Sequence, residues 1–358
     1  MGKVGRLYRL AELGVIRCER WDKRLWALRK ICCVETHTAG EPTRILVSPS
    51  PALKGRTIVE KRDHFKRDFD RIRRMLMHEP RGHRDMFGAI LLPPCDPKAD
   101  IGVIFMDAGG YVNMCVHGSI GTVTAAIETG IVETQEPLTR LVLDTPSGLV
   151  HATARIEESS VRNVTIQNVP AFLFQSGEVD LPRKGKIPLD IAFGGNFFAI
   201  VDGKALGVSV TPASYQELVS LGLSIRQAVN DQFEIQHPEK EHLRSVDLVE
   251  ICDAPTDSRA NIKNATVFGA GQIDRSPCGT GTCAKMATLY AKGKLQLNEL
   301  FVNESLIGTL FRGRLVERTK VKNFDAVLPE IEADAHITGF SQFVLDPSDP
   351  LRDGFLLK

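Results

Sequence analysis

Short apolar runs of the kind that form β-strands dominate the hydrophobic pattern of the chain. They predict strands over 44–48, 89–92, 102–106, 140–144, 192–202, 246–252, 309–316 and 336–345. Residues 63–78 place their apolar side chains on one stripe opposite charged ones, which predicts an amphipathic surface helix. Residues 212–221 and 224–233 predict a second pair of helices. Many strands, few helices and no regular alternation between them indicate an α+β fold.

A weak internal repeat appears when the sequence is shifted on itself by 163 residues. Cys115 then coincides with Cys278, Gly118 with Gly281, and Gly130 with Gly293. Each copy has an apolar strand (102–106 or 264–268), a turn with glycine, a cysteine, and then a helix of about three turns. The last glycine of each copy lies where a left-handed helix cap belongs. The matched order predicts a duplicated unit.

Composition narrows the classes of function. Lys and Arg number 45 against 44 Asp and Glu, so the formal charge of +1 provides no field that would attract nucleic acid or an anionic membrane. The longest uncharged stretch, 108–127, has the length of a membrane span but contains four glycines, Asn113 and His117. We therefore expect no membrane segment and a small-molecule ligand.

The eight cysteines are too sparse for a disulfide-stapled secreted scaffold, and none of them forms a Cys-x-x-Cys motif. Reduced thiols in the cytoplasm are the expectation. Residues 1–30 carry nine basic and three acidic side chains and no secretory apolar core. We interpret this segment as an extension outside the fold, and an import presequence is the alternative.

The repeated cysteines suggest acid–base chemistry. A cysteine just before a helix feels the positive end of the macrodipole and nearby free N–H groups, which favour the thiolate, and the same N–H groups can hold a carboxylate. Two such half-sites facing one cleft suit inversion at a carbon next to a carboxylate. One thiolate removes the proton from one face while the other sulfur, as a thiol, protonates the opposite face.

Six ordered segments resemble the motifs of the proline racemase family. They read HTAGEPTRI at 37–45, EPRGHRDMFGA at 79–89, MCVHGSIG at 114–121, FGGNFFAI at 193–200, DRSPCGTGTCAK at 274–285 and ITGFSQFVLD at 337–346. The resemblance runs from about residue 33 to the end of the chain. It implies a diaminopimelate epimerase-like fold, in which two pseudo-symmetric lobes, each a barrel-like sheet around a central helix, enclose the active site. Residues 31–168 are then the first lobe and 169–344 the second, with 345–358 returning to the first.

The resemblance also implies roles for residues. Cys115 and Cys278 match the paired acid and base, and His117 and Asp274 match the residues that hold the ring nitrogen of the substrate. The backbone N–H groups that match the binders of the substrate carboxylate are those of Val116, His117, Gly279 and Thr280. Taken singly, His117 is also explained as a helix-start residue, Asp274 as a partner of Arg275 and Thr280 as a cap. The resemblance further implies no metal, pyridoxal phosphate or nucleotide cofactor, and the sequence leaves a homodimer open.

Three phenylalanines bear on the substrate. Phe87, Phe105 and Phe268 match an aromatic pocket around an unsubstituted pyrrolidine ring, so proline is the expected substrate. A ring hydroxyl buried there without a partner would cost about 1–3 kcal/mol. The alternative is a 4-hydroxyproline 2-epimerase, which in the family also keeps both cysteines. Cys278 argues against a 3-hydroxyproline dehydratase, which carries threonine there.

Two residues depart from the family pattern. Val116 stands where the family has glycine, and a positive φ there would strain a β-branched residue. A non-catalytic imino-acid binding protein that lost turnover through Val116 is therefore a further alternative. Cys283 replaces a serine and is interpreted as a packing residue. A zinc site built on Cys278 and Cys283 lacks matched ligand spacing.

Overall fold

The computed structural model describes residues 29–48, 51–182 and 184–357. Within these ranges eighteen strands form one continuous, mostly antiparallel sheet that curls around two buried helices. The strands are β1 (Arg29–Thr38), β2 (Glu41–Ser48), β3 (Phe87–Leu92), β4 (Ile101–Asp107), β5 (Tyr111–Val112), β6 (Leu138–Thr145), β7 (Gly148–Glu157), β8 (Ser160–Gln167), β9 (Phe172–Leu181), β10 (Gly185–Phe193), β11 (Phe197–Asp202), β12 (Val246–Asp253), β13 (Ile262–Phe268), β14 (Gln272–Ile273), β15 (Phe301–Glu304), β16 (Leu310–Val321), β17 (Phe324–Ala333) and β18 (Ala335–Leu345).

The helices are fewer, as predicted. They are α1 (Ile58–Asp68), α2 (Asp70–Met77), α3 (Val116–Glu128), α4 (Gly203–Leu206), α5 (Tyr215–Gln232) and α6 (Gly279–Ala291), with a 3-10 turn at Pro212–Ser214. Helices α3 and α6 are buried along almost their whole length and contact strands on several sides. The α+β class predicted from the pattern is confirmed.

Local differences from the prediction have identifiable causes. The helix expected over 63–78 is two helices, because the backbone leaves the helical region at Phe69 (φ −129°). It also begins earlier, where the Thr57 side chain caps the N–H of Glu60. The helical pair expected over 212–233 is one helix through Gly222. A Cβ at Gly222 would stand 2.5 Å from the Cβ of Val267, so this glycine permits close packing and does not interrupt the helix.

The strand expected over 192–202 is a hairpin. Strand β10 ends at Phe193, a tight turn follows in which Gly195 has a φ of 108°, and β11 begins at Phe197. The two strands pair antiparallel from Phe193 with Phe197 to Asp190 with Ile200. A continuous apolar run therefore hid a reversal of the chain.

The two halves of the chain are joined at two places in the sheet. Strand β8 pairs with β17, and β18 pairs along its whole length with β1 and also contacts α3. The chain therefore returns to the first half at Ala335, ten residues before the expected return at 345. Of the expected N-terminal extension, residues 1–28 lie outside the described ranges, and Arg29 already begins β1.

Candidate active site

Two helices of equal length point their N-termini at the same place between the halves of the molecule. Helix α3 begins at Val116 and α6 at Gly279, and each spans 13 residues. Each helix follows a pair of antiparallel strands joined by a turn. Gly130 and Gly293 have φ values of 71° and 70° just after the helices, as the repeat predicts. The predicted order of strand, turn, cysteine and helix is thus present twice, with Cys115 and Cys278 at the two N-caps.

The two cysteines differ in backbone geometry. Cys115 is extended (φ −146°, ψ 120°), and its Sγ accepts a hydrogen bond from the N–H of Gly118 at 3.2 Å. Cys278 has a left-handed φ of 57° with ψ 93°. The side chains are 7% and 3% exposed, so both thiols are removed from bulk water at the cavity.

Burial dominates the electrostatics of both thiols. It raises the pKa of Cys115 and of Cys278 well above the usual thiol value, and the nearby Asp274 carboxylate raises both pKa values further. The N–H groups of Gly118 and Gly281 oppose this shift, as the sequence argument expected, but they do not outweigh burial. The helix N–H groups thus act on the two pKa values in the expected direction, but in the ligand-free protein desolvation is the larger effect.

His117 and Asp274 lie against the first sulfur. His117 Nδ1 is 3.1 Å from Cys115 Sγ and 3.7 Å from Asp274 Oδ2. Burial lowers the pKa of His117 despite the neighbouring carboxylate, so the ring is neutral at pH 7. Asp274 Oδ1 accepts hydrogen bonds from the N–H and the hydroxyl of Ser276, which leaves Oδ2 facing the cavity. The alternative partner Arg275 instead pairs with Asp85 at 2.7 Å.

A small, mostly apolar cavity separates the two sulfurs. Its lining residues are Phe87, Val112, Met114, Cys115, Val116, His117, Leu248, Phe268, Asp274, Cys278, Gly279 and Thr280. Nine of the ten predicted site residues are in this set. Phe105 is not: it lies behind Phe87, with ring centroids 6.2 Å apart, and it faces Gly118, so the prediction that it lines the pocket is wrong.

Val116 and Gly279 contact each other across the cavity floor. A Cβ at Gly279 would stand 2.4 Å from the Cβ of Val116, so only one of the two positions can carry a side chain. Among the described residues with positive φ, Val116 does not appear, which removes the strained alternative and leaves bulk as its only effect. The N–H groups of Val116, His117, Gly279 and Thr280 are the first of two helices and have no intrahelical partners. They form a place for a carboxylate.

Sequence reasoning missed several residues here. Val112, Met114 and Leu248 extend the apolar wall. Glu41 is fully buried behind Asp274, and its Oε2 accepts a hydrogen bond from the N–H of Arg275 at 2.7 Å. Burial and the charge of Asp274 raise the pKa of Glu41 well above its usual value. The signal available in the sequence was the position of Glu41, directly after the Ala39–Gly40 turn in the motif HTAGEPTRI.

Comparison with known proteins decides the family. A family model described as proline racemase matches residues 33–356. The chain belongs to the proline racemase family. It is 50% identical over 331 residues to the proline racemase of Clostridioides difficile, covering 92% of this chain and 99% of that protein. It is also 45% identical to a 4-hydroxyproline 2-epimerase of Streptosporangium roseum, covering 90% and 97%.

A solved structure supports the same assignment. The hydroxyproline epimerase from Agrobacterium vitis, determined with bound trans-4-hydroxy-L-proline, superposes with a TM-score of 0.87 at 32% identity, covering 92% of this chain and 96% of that one. This member of the proline racemase family thus has the diaminopimelate epimerase-like fold that the motifs implied. It is an amino-acid racemase or epimerase by family.

Two absences concern the described residues alone. In residues 29–48, 51–182 and 184–357, no helix is long and apolar enough to cross a membrane. In the same ranges, no group of three or more His, Cys, Asp or Glu side chains is arranged to hold a metal ion. Cys283 is a fully buried residue of α6.

Proposed function

We propose that this protein interconverts L-proline and D-proline without a cofactor, using Cys115 and Cys278 as a two-thiol acid–base pair. The observation that carries this proposal is that two N-cap cysteines line one cavity from two helices. A thiolate at one position removes the α-proton, and the C–H electron pair passes into the substrate carboxylate. The thiol at the other position gives its proton to the opposite face of the α-carbon, and the new C–H bond completes inversion.

The remaining polar groups bind and orient. Asp274 Oδ2, which lies 3.7 Å from a neutral His117, pairs with the ammonium of the substrate. The N–H groups at the starts of α3 and α6 hold the carboxylate, where negative charge grows as the proton leaves. Substrate binding also changes the thiols, because the bound ammonium offsets the Asp274 carboxylate that raises both pKa values.

The ring sits against an apolar wall. Phe87, Val112, Leu248 and Phe268 provide that wall and no side-chain hydrogen-bonding group. A 4-hydroxyl directed at it would lose water without a replacement, at a cost of about 1–3 kcal/mol. Proline is therefore the preferred substrate, in keeping with the names of the relatives that are 50% identical.

Chiral chromatography tests this assignment. Purified protein is incubated with L-proline, D-proline and each 4-hydroxyproline isomer, and initial rates give kcat/KM. We expect proline to be better by at least about tenfold, equivalent to about 1.4 kcal/mol. Equal or reversed preference would instead assign the epimerase, whose relative is 45% identical. Calorimetric binding of proline without turnover would support the non-catalytic binding protein.

The organisation and location of the protein complete the proposal. We place the first lobe at 31–168 together with β18, and the second lobe at 169–334, because β18 pairs with β1 throughout. The cysteines at 32, 33, 95, 115, 252, 278 and 283 are free thiols. A site that depends on two reduced sulfurs fits a reducing compartment, and we assign the protein to the cytoplasm.

A further inference from the structure

The second half-site holds its sulfur on a strained backbone. Cys278 has a φ of 57°, whereas the corresponding Cys115 has an unstrained φ of −146°. A non-glycine residue in the left-handed region costs free energy, and it persists only where its surroundings hold it there. Something specific to this half-site must therefore fix the backbone at residue 278.

The carbonyl just before Cys278 is held by three donors. Pro277 O accepts hydrogen bonds from Asn264 Nδ2 at 2.9 Å and Asn303 Nδ2 at 3.1 Å. It also shares the single hydroxyl hydrogen of Thr282, whose Oγ1 is 3.1 Å away, with Cys278 O at 2.9 Å. All of these side chains are at most 1% exposed. These hydrogen bonds fix the plane of the peptide between Pro277 and Cys278.

A buried carboxyl orients the nearest of these donors. Glu250, on β12, accepts a hydrogen bond at its Oε1 from Asn264 Nδ2 at 2.8 Å. The two hydrogens of this one amide nitrogen are thus divided between Glu250 and Pro277 O. Glu250 is 0% exposed, and among the described residues its Oε2 has no hydrogen-bond partner.

The unpartnered oxygen lies beside the second sulfur. Glu250 Oε2 is 3.1 Å and Cys278 Sγ 3.2 Å from the point where a Cβ of residue 281 would stand, which is free because residue 281 is glycine. The titratable groups whose charges act on or respond to Glu250 are Cys252, Cys278, Cys283 and Lys285.

We propose that Glu250 is a positioning residue of the second half-site, which acts through Asn264 and the Pro277 carbonyl to keep Cys278 in its left-handed conformation. The first half-site uses a different device. There Asn196 Nδ2 donates to the Met114 carbonyl ahead of Cys115, whose backbone is relaxed. The role of Glu250 is thus confined to one sulfur. This inference rests on the proposed function for its catalytic consequence, but not for its structural one.

The test measures each sulfur separately. Iodoacetamide alkylation, followed by mass spectrometry of the two cysteine peptides, gives the rate at Cys278 relative to Cys115 in the same molecules. Glu250→Leu keeps the bulk and removes the acceptor, and we expect that relative rate to fall about tenfold, because the sulfur leaves the helix N-terminus. We expect kcat for proline to fall about a hundredfold with the same variant, since misplacement by about 1 Å has that effect. Glu250→Gln keeps a carbonyl acceptor and should restore both quantities to within about threefold of the wild type.

Two further variants complete the design. Asn264→Leu removes the donor and should reproduce the Glu250→Leu result, which preserves the test if Glu250→Leu does not fold. Asp144→Leu is the matched control: Asp144 is a buried carboxylate that accepts a hydrogen bond from the backbone N–H of Cys95 at 2.7 Å and does not line the cavity, so the relative alkylation rate should not change.

The proposal is overturned if Glu250→Leu and Asn264→Leu both fold and leave the relative rate unchanged, or if Glu250→Gln is as impaired as Glu250→Leu. Because alkylation needs no substrate, failure of the proposed function would appear as absent turnover with the alkylation differences intact.

Discussion

Replacing Val116 tests the geometry of the cavity floor. Val116 is 1% exposed, and its Cβ fills the space beside Gly279. Val116→Gly removes a buried side chain worth about 1.5–3 kcal/mol. It also adds a glycine to a helix at about 0.5–1 kcal/mol. We therefore expect it to unfold about 2–4 kcal/mol more easily. Racemisation should be unchanged or faster, because the N–H of residue 116 stays and the approach of the carboxylate widens.

Gly279→Ala applies the opposite perturbation. The new methyl would stand 2.4 Å from the Cβ of Val116, an atom fixed to the backbone that cannot rotate away. The helices must then separate, and a shift of about 1 Å should lower kcat/KM about a hundredfold. In the double variant Val116→Gly/Gly279→Ala, the methyl enters vacated space. We expect kcat/KM to recover at least about tenfold, a coupling of about 1.4 kcal/mol.

Polarimetry and urea unfolding of the four proteins measure this cycle. Gly339→Ala is the matched control, because a Cβ there would meet no atom of the described residues within 4 Å. Strictly additive losses in the double variant would refute the idea that the two positions share one space. A marked loss of activity in Val116→Gly alone would show that Val116 shapes a pocket for a ligand other than proline.

The remaining predictions concern the thiols and pH. Cys115→Ser and Cys278→Ser should each lower racemisation by about a thousandfold or more while the circular dichroism stays native, and near-full activity in either would end the two-thiol mechanism. Because burial raises the pKa of both thiols and one thiolate must act as base, kcat/KM should rise with pH above neutrality, whereas a profile falling from pH 7 to 9 would contradict that order. Burial also lowers the pKa of His237 to about 4, and its Nδ1 accepts the N–H of Glu239 at 3.1 Å. The unfolded chain therefore binds the proton first, so thermal stability should be fully present above about pH 6.5 and decline towards pH 4, less steeply in His237→Asn.

The motifs predicted the centre of the site better than its edges. The sequence predicted Cys115, Cys278 and the helices that follow them, because the pattern of a cysteine before a helix occurs twice in the chain. The sequence did not predict the apolar wall. Leu248 and Val112 are single positions in strands, and no local sequence pattern gives the register of those strands. Phe105 was misplaced for the same reason: it is opposite Ala89 in the β3–β4 ladder and lies one layer behind Phe87.

Positions governed by tertiary packing were also beyond the pattern. Gly222 resembles a helix break, but close contact with Val267 explains it. The carboxyl groups of Glu41 and Glu250 resemble ordinary strand residues in the sequence, and only the fold shows that both are fully buried beside the two sulfurs. Of these two residues, only Glu41 has a hydrogen-bond partner more than 150 residues away in the sequence, which is Arg275.

One isotope measurement tests the two-thiol mechanism most directly. L-Proline is incubated with the protein in deuterated water, and the reaction is stopped early. The enantiomers are then separated, and mass spectrometry measures the deuterium content of each. Because Cys115 would remove a proton from one face while Cys278 delivers a solvent-derived deuteron to the other, or the reverse, the account predicts that nearly all new D-proline carries one α-deuterium and the remaining L-proline almost none. D-Proline that keeps its original proton, or deuterium entering both enantiomers at equal rates from the start, would contradict it.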